Sequence, residues 1–265
     1  MQITTLEGVI DRRILVNYRV DPDYLQRLLP APFRPKRIHG MGIAGICLIR
    51  LKQLRPRALP ALLGFSSENA AHRIAVEWEE NGVWREGVYI PRRDTASQFN
   101  RVVGGTLFPS VLHHAHFQVT EQDDAFSIQV ASDDGQTQIA VEAQVAQRLP
   151  ADSIFASLEE ASAFFEQGSL SFSATKKADE LDSVEIRCAT WRVEPLQVVK
   201  VYSNYFDDAQ RFPAGSAALD CALVMRAIPH EWHVHDPMRT PDRQAERATD
   251  GANAAKETAA VARSF

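Results

Sequence analysis

Along most of the chain apolar residues recur with a period of two, which points to strands far more often than to helices. Residues 14–20 are β-branched and apolar and predict a strand. Asp21-Pro22 then supplies a cap and a first-turn proline for a short helix carrying Tyr24, Leu25, Leu28 and Leu29, which Pro30 and Pro32 end. A long strand with small residues at alternate positions is expected over 41–54, and a loop over 55–69, which contains Pro56 and Pro60. Residues 74–78 and 83–90 flank Asn81-Gly82, the pair best suited to a tight hairpin turn. Asp94 is expected to cap a helix through Phe99, Val102 and Val103 that stops at Gly104-Gly105. Residues 112–119, 125–131 and 138–146 predict a three-strand meander with Asp133-Asp134-Gly135 in its second turn. Ser157 with Glu160 forms a capping box ahead of Phe164 and Phe165, and Gly168 ends that helix. Further strands are expected over 184–193, 196–206 and 218–227.

These elements sum to an α+β fold, a large, curved, mostly antiparallel sheet closing as a cone or barrel, with a few short helices. From Asp236 onward aromatic residues are absent until Phe265, so residues 1–235 are read as the folded domain and 236–265 as a disordered or loosely helical tail. A chain of 265 residues with 45% hydrophobic and 24% charged residues can bury a sizeable core, which excludes intrinsic disorder of the body. Charge is mildly acidic, 29 basic against 34 acidic residues, and basic residues never run beyond pairs, so neither nucleic acid nor a membrane surface is an expected partner. The first residues lack a signal-peptide pattern, and the longest uncharged apolar run, 40–49, is half of the ~20 residues that span a bilayer. A cytoplasmic protein is therefore expected. Cys47, Cys188 and Cys221 are odd in number and far apart, which fits reduced, buried thiols. Homo-oligomerisation stays open.

The order of several short motifs resembles a known family. Tyr18-Arg19-Val20-Asp21-Pro22, Leu28-Leu29-Pro30, Arg55-Pro56-Arg57-Ala58-Leu59-Pro60, Glu68-Asn69, Gly87-Val88-Tyr89 and Phe108-Pro109 occur in sequence as in the YqjF-like proteins, the family of the domain DUF2071. That family belongs to the acetoacetate decarboxylase-like superfamily, and the resemblance covers roughly residues 8–235. It implies a β-cone around a small-molecule cavity and no particular activity. Acetoacetate decarboxylase carries Phe-Pro-Lys-Lys, whose first lysine forms a Schiff base and whose second depresses the pKa of the first. The matching stretch here is Phe108-Pro109-Ser110-Val111, and neither a hydroxyl nor an isopropyl group can form an imine. The superfamily's pocket arginine falls on Arg12 or Arg13 and its glutamate on Glu68. An arginine to hold a carboxylate and an acid to shuttle a proton are thus implied without the reactive amine.

The leading expectation is accordingly a small polar or carboxylate-bearing ligand, anchored by Arg12 or Arg13, with Glu68 as the acid–base candidate and Ser110 and His113 lining the site. Arg92-Arg93-Asp94 follows the hairpin strand and is placed to line the cavity mouth, with Arg92 the further ligand-binding candidate, although paired arginines beside an acid are more often a surface ion pair. Lys200 is flanked by apolar residues but reads as a strand lysine with its head in water, and Lys176-Lys177 as a solvated turn. Histidines carry the rival reading, a metal-dependent enzyme. Six of the eight lie in His113-His114-Ala115-His116 and His230-Glu231-Trp232-His233-Val234-His235. Residues two apart on a strand share a face, so His114 with His116, and His233 with His235, can chelate together, completed by Glu68 or Glu231. A plainer reading makes them polar strand residues. Gly104-Gly105 lacks the longer glycine pattern of a phosphate loop, so no cofactor is expected. A third possibility is a structural or interaction protein whose cavity is filled by its own side chains.

Overall fold

The computed structural model describes residues 5–97, 111–177 and 179–240. Its elements run β1 (Thr5–Val20), α1 (Pro22–Gln26), β2 (Arg34–Pro35), β3 (Arg37–Ile38), β4 (Met41–Pro56), a single 3-10 turn (Ala61–Leu63), β5 (Phe65–Glu80) and β6 (Val83–Thr95). After the undescribed 98–110 come β7 (Leu112–Gln122), β8 (Ala125–Ser132), β9 (Gln138–Val145), α2 (Leu158–Gln167), β10 (Leu170–Ala174), β11 (Glu180–Cys188), β12 (Glu194–Ser203) and β13 (Ala217–Arg239).

Among the described residues all thirteen strands belong to one sheet, mostly antiparallel, with parallel pairs only at β6–β7 and β6–β10. Hydrogen bonding returns on itself twice. One ring runs β6, β7, β8, β9, β12, β13, β1, β4, β5 and back to β6. The other runs β6, β10, β11, β13, β1, β4, β5 and back to β6. Both share the wall β13-β1-β4-β5-β6, because β13 and β6 each change partner along their outer edge. Residues 222–224 of β13 pair with β12 and 230–239 with β11, while 88–90 of β6 pair with β10 and 93–95 with β7.

Side chains alternate across a strand, so a wall with an interior on each face must be apolar on both. Ile14, Val16, Ile46 and Leu48 enter one core, with Ile128, Val130, Ile139 and Val141 from β8 and β9. Leu15, Cys47, Leu51 and Ala75 enter the other, where Phe164 and Phe165 of α2 cover them. Between Ile10 and Arg12 the β1–β4 register shifts by one residue, a bulge that re-aims the side chains beyond it.

Local signals explain most element ends. Asp21 accepts from Asp23 N at 2.9 Å as the cap of α1, and Ser157 accepts from Glu160 N at 3.2 Å as the cap of α2. Asn81 and Gly82 take positive φ, 53° and 77°, at the β5–β6 turn. Gly87 is required by a close approach: a Cβ there would lie 2.6 Å from the Leu170 carbonyl oxygen, where β10 joins β6. Three expectations change. Residues 65–69 belong to β5 and not to a loop, since Ser67 and Asn69 pair with Leu51 and Ile49. Asp94 lies within β6, fully buried, and its carboxylate accepts from Arg92 and Thr137 instead of capping a helix; the remainder of that expected helix falls outside the described residues. β10, too short to show a period, was not expected. The last strand carries on through Asp236 to Arg239, where it pairs with β11.

Two histidines are buried as neutral rings. His72, on β5, sits 3.1 Å from Ser203 Oγ and stacks on Tyr205 at 4.4 Å, and burial pushes its pKa down to about 3. Burial, helped by the charge of Arg13, pushes His230 down to about 4. The unfolded chain therefore binds more protons than the native one between those values and the ordinary 6.5. Stability is full above pH 6.5 and falls as pH drops, by up to about 1.4 kcal/mol per pH unit for each ring. Urea unfolding between pH 7 and 4 is expected to show this slope. His72→Phe, which keeps the stacking, is expected to make it shallower by one proton's worth.

Candidate functional site

Within the second ring lies a cavity of about 150 Å³. Its wall is largely apolar, with Ile49, Leu51, Leu54 and Phe65 on one side and Val184, Ile186 and Trp232 on the other. Into it project three arginines, Arg13 from β1, Arg73 from β5 and Arg93 from β6. Cross-strand register explains the convergence. Arg13 lies opposite Ile49, which lies opposite Asn69, and Cys47 lies opposite Ala71, which lies opposite Arg93. All belong to the same face of the shared wall.

Their charges are poorly compensated. Arg13 Nε and Nη1 are buried without a hydrogen-bond partner, and the guanidinium stands 6.0 Å from the Trp191 ring. Arg73, 6% exposed, donates to Asn17 Oδ1 and lies 4.9 Å over the Phe165 ring, but its Nε has no partner. Burial pushes its pKa down to about 10, and the nearby charge of Arg13 acts in the same direction. Arg93 donates to Ser173 Oγ at 2.8 Å and Ser171 Oγ at 3.2 Å. Asp182, fully buried, feels the charge of Arg93, but burial dominates and raises its pKa. The acid among the described lining residues, Asp94, turns its carboxylate to Arg92 and Thr137. A low-dielectric pocket holding guanidinium groups with free donors favours an anion.

The other sequence candidates are distributed differently. Arg12, 1% exposed, faces the first interior, where its Nη2 lies 2.6 Å from Glu68 and its Nη1 pairs with Glu121. Arg50 binds the same two acids, at 2.5 and 2.8 Å. Register again accounts for this, since Arg12, Arg50 and Glu68 are successive partners across β1, β4 and β5. The network ties these strands to β7, which pairs with none of the three. Glu68 is absent from the cavity wall, and the structure does not bring it to Arg13. Removing its carboxylate leaves Arg12 with Glu121 alone. Glu68→Ala is therefore expected to cost about 2 kcal/mol in denaturant unfolding, below the full cost of orphaning a buried ion because one acid remains.

Arg92 pairs with Asp94 at 2.9 Å and Asp134 at 2.8 Å, away from the cavity, and His113 lies 3.4 Å from Asp134. Ser110 lies outside the described residues. The two histidine groups do not combine. His114 and His116 share Asp133, whereas His233 turns to Glu231 at 2.8 Å and His235 to Glu185 at 3.0 Å. No lysine is among the described residues of the cavity wall. Lys36 lines a small neighbouring space, its ammonium held by Glu86 at 2.5 Å and Gln167 at 3.0 Å. Lys200 is exposed, and Lys177 pairs with Glu180. Arg73 was missed by sequence reasoning, while Arg93, placed beside Arg92 at the cavity mouth, does line the cavity. A signal existed for Arg73, a lone cation within the apolar run Ala70-Ala71-His72-Arg73-Ile74-Ala75-Val76.

Comparison with known proteins agrees with this architecture. No curated protein matches the chain. Among solved structures, an acetoacetate decarboxylase-like enzyme from Sphingomonas wittichii RW1 aligns at TM-score 0.57 and 13% identity, covering 90% of this chain and 93% of that one. The enduracididine biosynthesis enzyme MppR complexed with pyruvate aligns at 0.58 and 11%, covering 90% and 91%. Acetoacetate decarboxylase from Legionella pneumophila aligns at 0.55 and 11%, covering 89% and 90%. At such identities the likeness is one of fold. The model of the family DUF2071, described as an uncharacterized conserved protein, matches residues 10–229, and the chain belongs to that family, on an acetoacetate decarboxylase-like fold.

Proposed function

We propose that the protein binds a small carboxylate with an apolar body in the cavity of the second ring, and that it does so without Schiff-base chemistry. The observation that carries this reading is the pairing of unpartnered donors on Arg13 and Arg73 with a largely apolar wall. A bidentate guanidinium–carboxylate contact would satisfy those donors and neutralise a charge that burial makes costly. An apolar cavity of about 150 Å³ is of the size that admits benzene, which suits an acid of a few carbons or one aromatic ring. That a structural neighbour, MppR, is complexed with pyruvate is in keeping with a small acid on this fold.

Arginine in place of lysine has a chemical consequence. A guanidinium stays protonated, even with its pKa lowered to about 10 as at Arg73, and does not condense with a carbonyl. The resemblance that sets Ser110 and Val111 at the lysine positions supports the same conclusion. The carboxylate of Glu68, held by Arg12 and Arg50, is an ion-pair partner in this reading and not the proton shuttle.

The test is calorimetric titration of the protein with benzoate, butyrate and pyruvate beside the corresponding amides. The acids are expected to bind and the amides not to. Arg13→Ala and Arg73→Met are each expected to weaken binding by about 10- to 100-fold, the range of a charge-assisted hydrogen bond. Without ligand, Arg73→Met is expected to keep or raise the unfolding midpoint, because it removes a buried charge. Equal binding of acids and amides, or unchanged binding by both variants, would overturn the reading.

A further inference from the structure

On the shared edge of β7 and the β8–β9 turn, three metal-ligating side chains stand together. His114 Nδ1 lies 2.9 Å from Asp133 Oδ2, and His116 Nε2 lies 3.2 Å from Asp133 Oδ1. All three groups offer a ligand atom within 4.8 Å of one another. Tetrahedral coordination with bonds of 2.0–2.1 Å sets its ligand atoms about 3.3 Å apart, so the 3.2 Å between His116 Nε2 and Asp133 Oδ1 already has the required size, and His114, now 2.9 Å from the other carboxylate oxygen, needs a small side-chain adjustment to join it.

The arrangement follows from the backbone. Ala115 is buried in the first core, so its neighbours His114 and His116 face the other way. Asp133 is placed opposite them because its N–H donates to the His114 carbonyl at 3.1 Å, extending the β7–β8 ladder by one residue before the turn. Gly135, at φ 69°, closes that turn. The side chains differ in exposure, 9% for His114 against 76% for His116. A metal held here would be anchored on its inner side and open to water on its outer side, the pattern of a reactive site and not of a closed structural one.

The face matters too. Leu112, two residues before His114 on the same side of β7, lines the arginine cavity. His114 thus continues the row of side chains leading away from that cavity, about 7 Å further along the strand.

The geometry points to a site for one divalent ion of the zinc class, bound by His114, His116 and Asp133, with its remaining positions taken by water. Two imidazoles and a carboxylate suit zinc, cobalt and iron(II), and not calcium or magnesium, which take oxygen ligands. The ion binds the neutral imidazoles through Nδ1 of His114 and Nε2 of His116, displacing the carboxylate contacts that hold them now. His233 and His235 take no part. The site stands on its own residues and does not depend on the ligand proposed for the cavity.

The experiment is a titration of the full chain, stripped with a chelator, with Co²⁺ alone, read by its visible absorption, followed by displacement with Zn²⁺. One Co²⁺ per chain is expected, with absorption of the intensity that four-coordinate cobalt gives and complete loss on adding one equivalent of Zn²⁺. His114→Ala, His116→Ala and Asp133→Asn are each expected to weaken binding at least about 10-fold, since even partners outside the coordination shell are worth that much. His233→Ala and His235→Ala are expected to leave it unchanged. Circular dichroism of each variant identifies any that fails to fold. Asp133→Asn, on an exposed turn, provides a readout should His114→Ala be such a case. Absence of saturable uptake would overturn the proposal, as would uptake that persists in Asp133→Asn and His116→Ala or that is lost only with His233 or His235.

Discussion

Both faces of the central segments of β1, β4 and β5 are interior, and the alternation of side chains along them decides which interior each residue enters. A strand with one wet face tolerates a polar residue at every second position. The central segments of these strands do not, so each charged residue buried there must be neutralised within the fold or left as a feature of it. Arg12 and Arg13 show the two outcomes at adjacent positions. One meets Glu68 and Glu121 on the first face, and the other meets Trp191 and an open cavity on the second.

That difference separates structural from functional charge. The Arg12–Arg50–Glu68–Glu121 network joins β1, β4 and β5 to β7 across a ring in which β7 pairs with none of them. Its charges are paired with opposite charges, although Arg12 Nε keeps no partner, and its work is to hold strands in place. Arg13 and Arg73 repel one another and have donors to spare. A fold normally removes such an arrangement, because each uncompensated buried ion costs stability. An anion bound there would offset that cost, and the proposed ligand would then stabilise the native state by mass action.

The same sheet supplies a second chemical environment along β7. There the face opposite the first core runs from the cavity wall at Leu112 out to solvent at His116, so it accepts His114 and His116 at no cost to that core. Arginines concentrated in the ring interior and two imidazoles beside a carboxylate at its edge thus stand on an architecture shared with acetoacetate decarboxylase at 11% identity.

Much of the fold was legible in the sequence because its signals are local. A β-branched apolar run marked the second half of β1, alternation marked β4 and the β7–β8–β9 meander, Asn81-Gly82 marked the hairpin, and Asp21 and Ser157 marked the two helix caps. Prolines at 56 and 60 suggested a loop reaching to 69, yet the strand resumes at Phe65, since cross-strand pairing outweighs two nearby prolines. Asp94 has the chemistry of a cap, but Arg92 and Thr137 claim its carboxylate within a strand. The sequence likewise brought Arg12, Arg13 and Glu68 forward together and left the choice between the two arginines open. Only the tertiary structure decided it, because the choice depends on a one-residue bulge before Arg12 and on register across three strands separated in sequence by dozens of residues. Arg73 and Arg93 joined Arg13 for the same reason: pleat parity on β5 and β6, and not any motif, sets which side chains share a cavity.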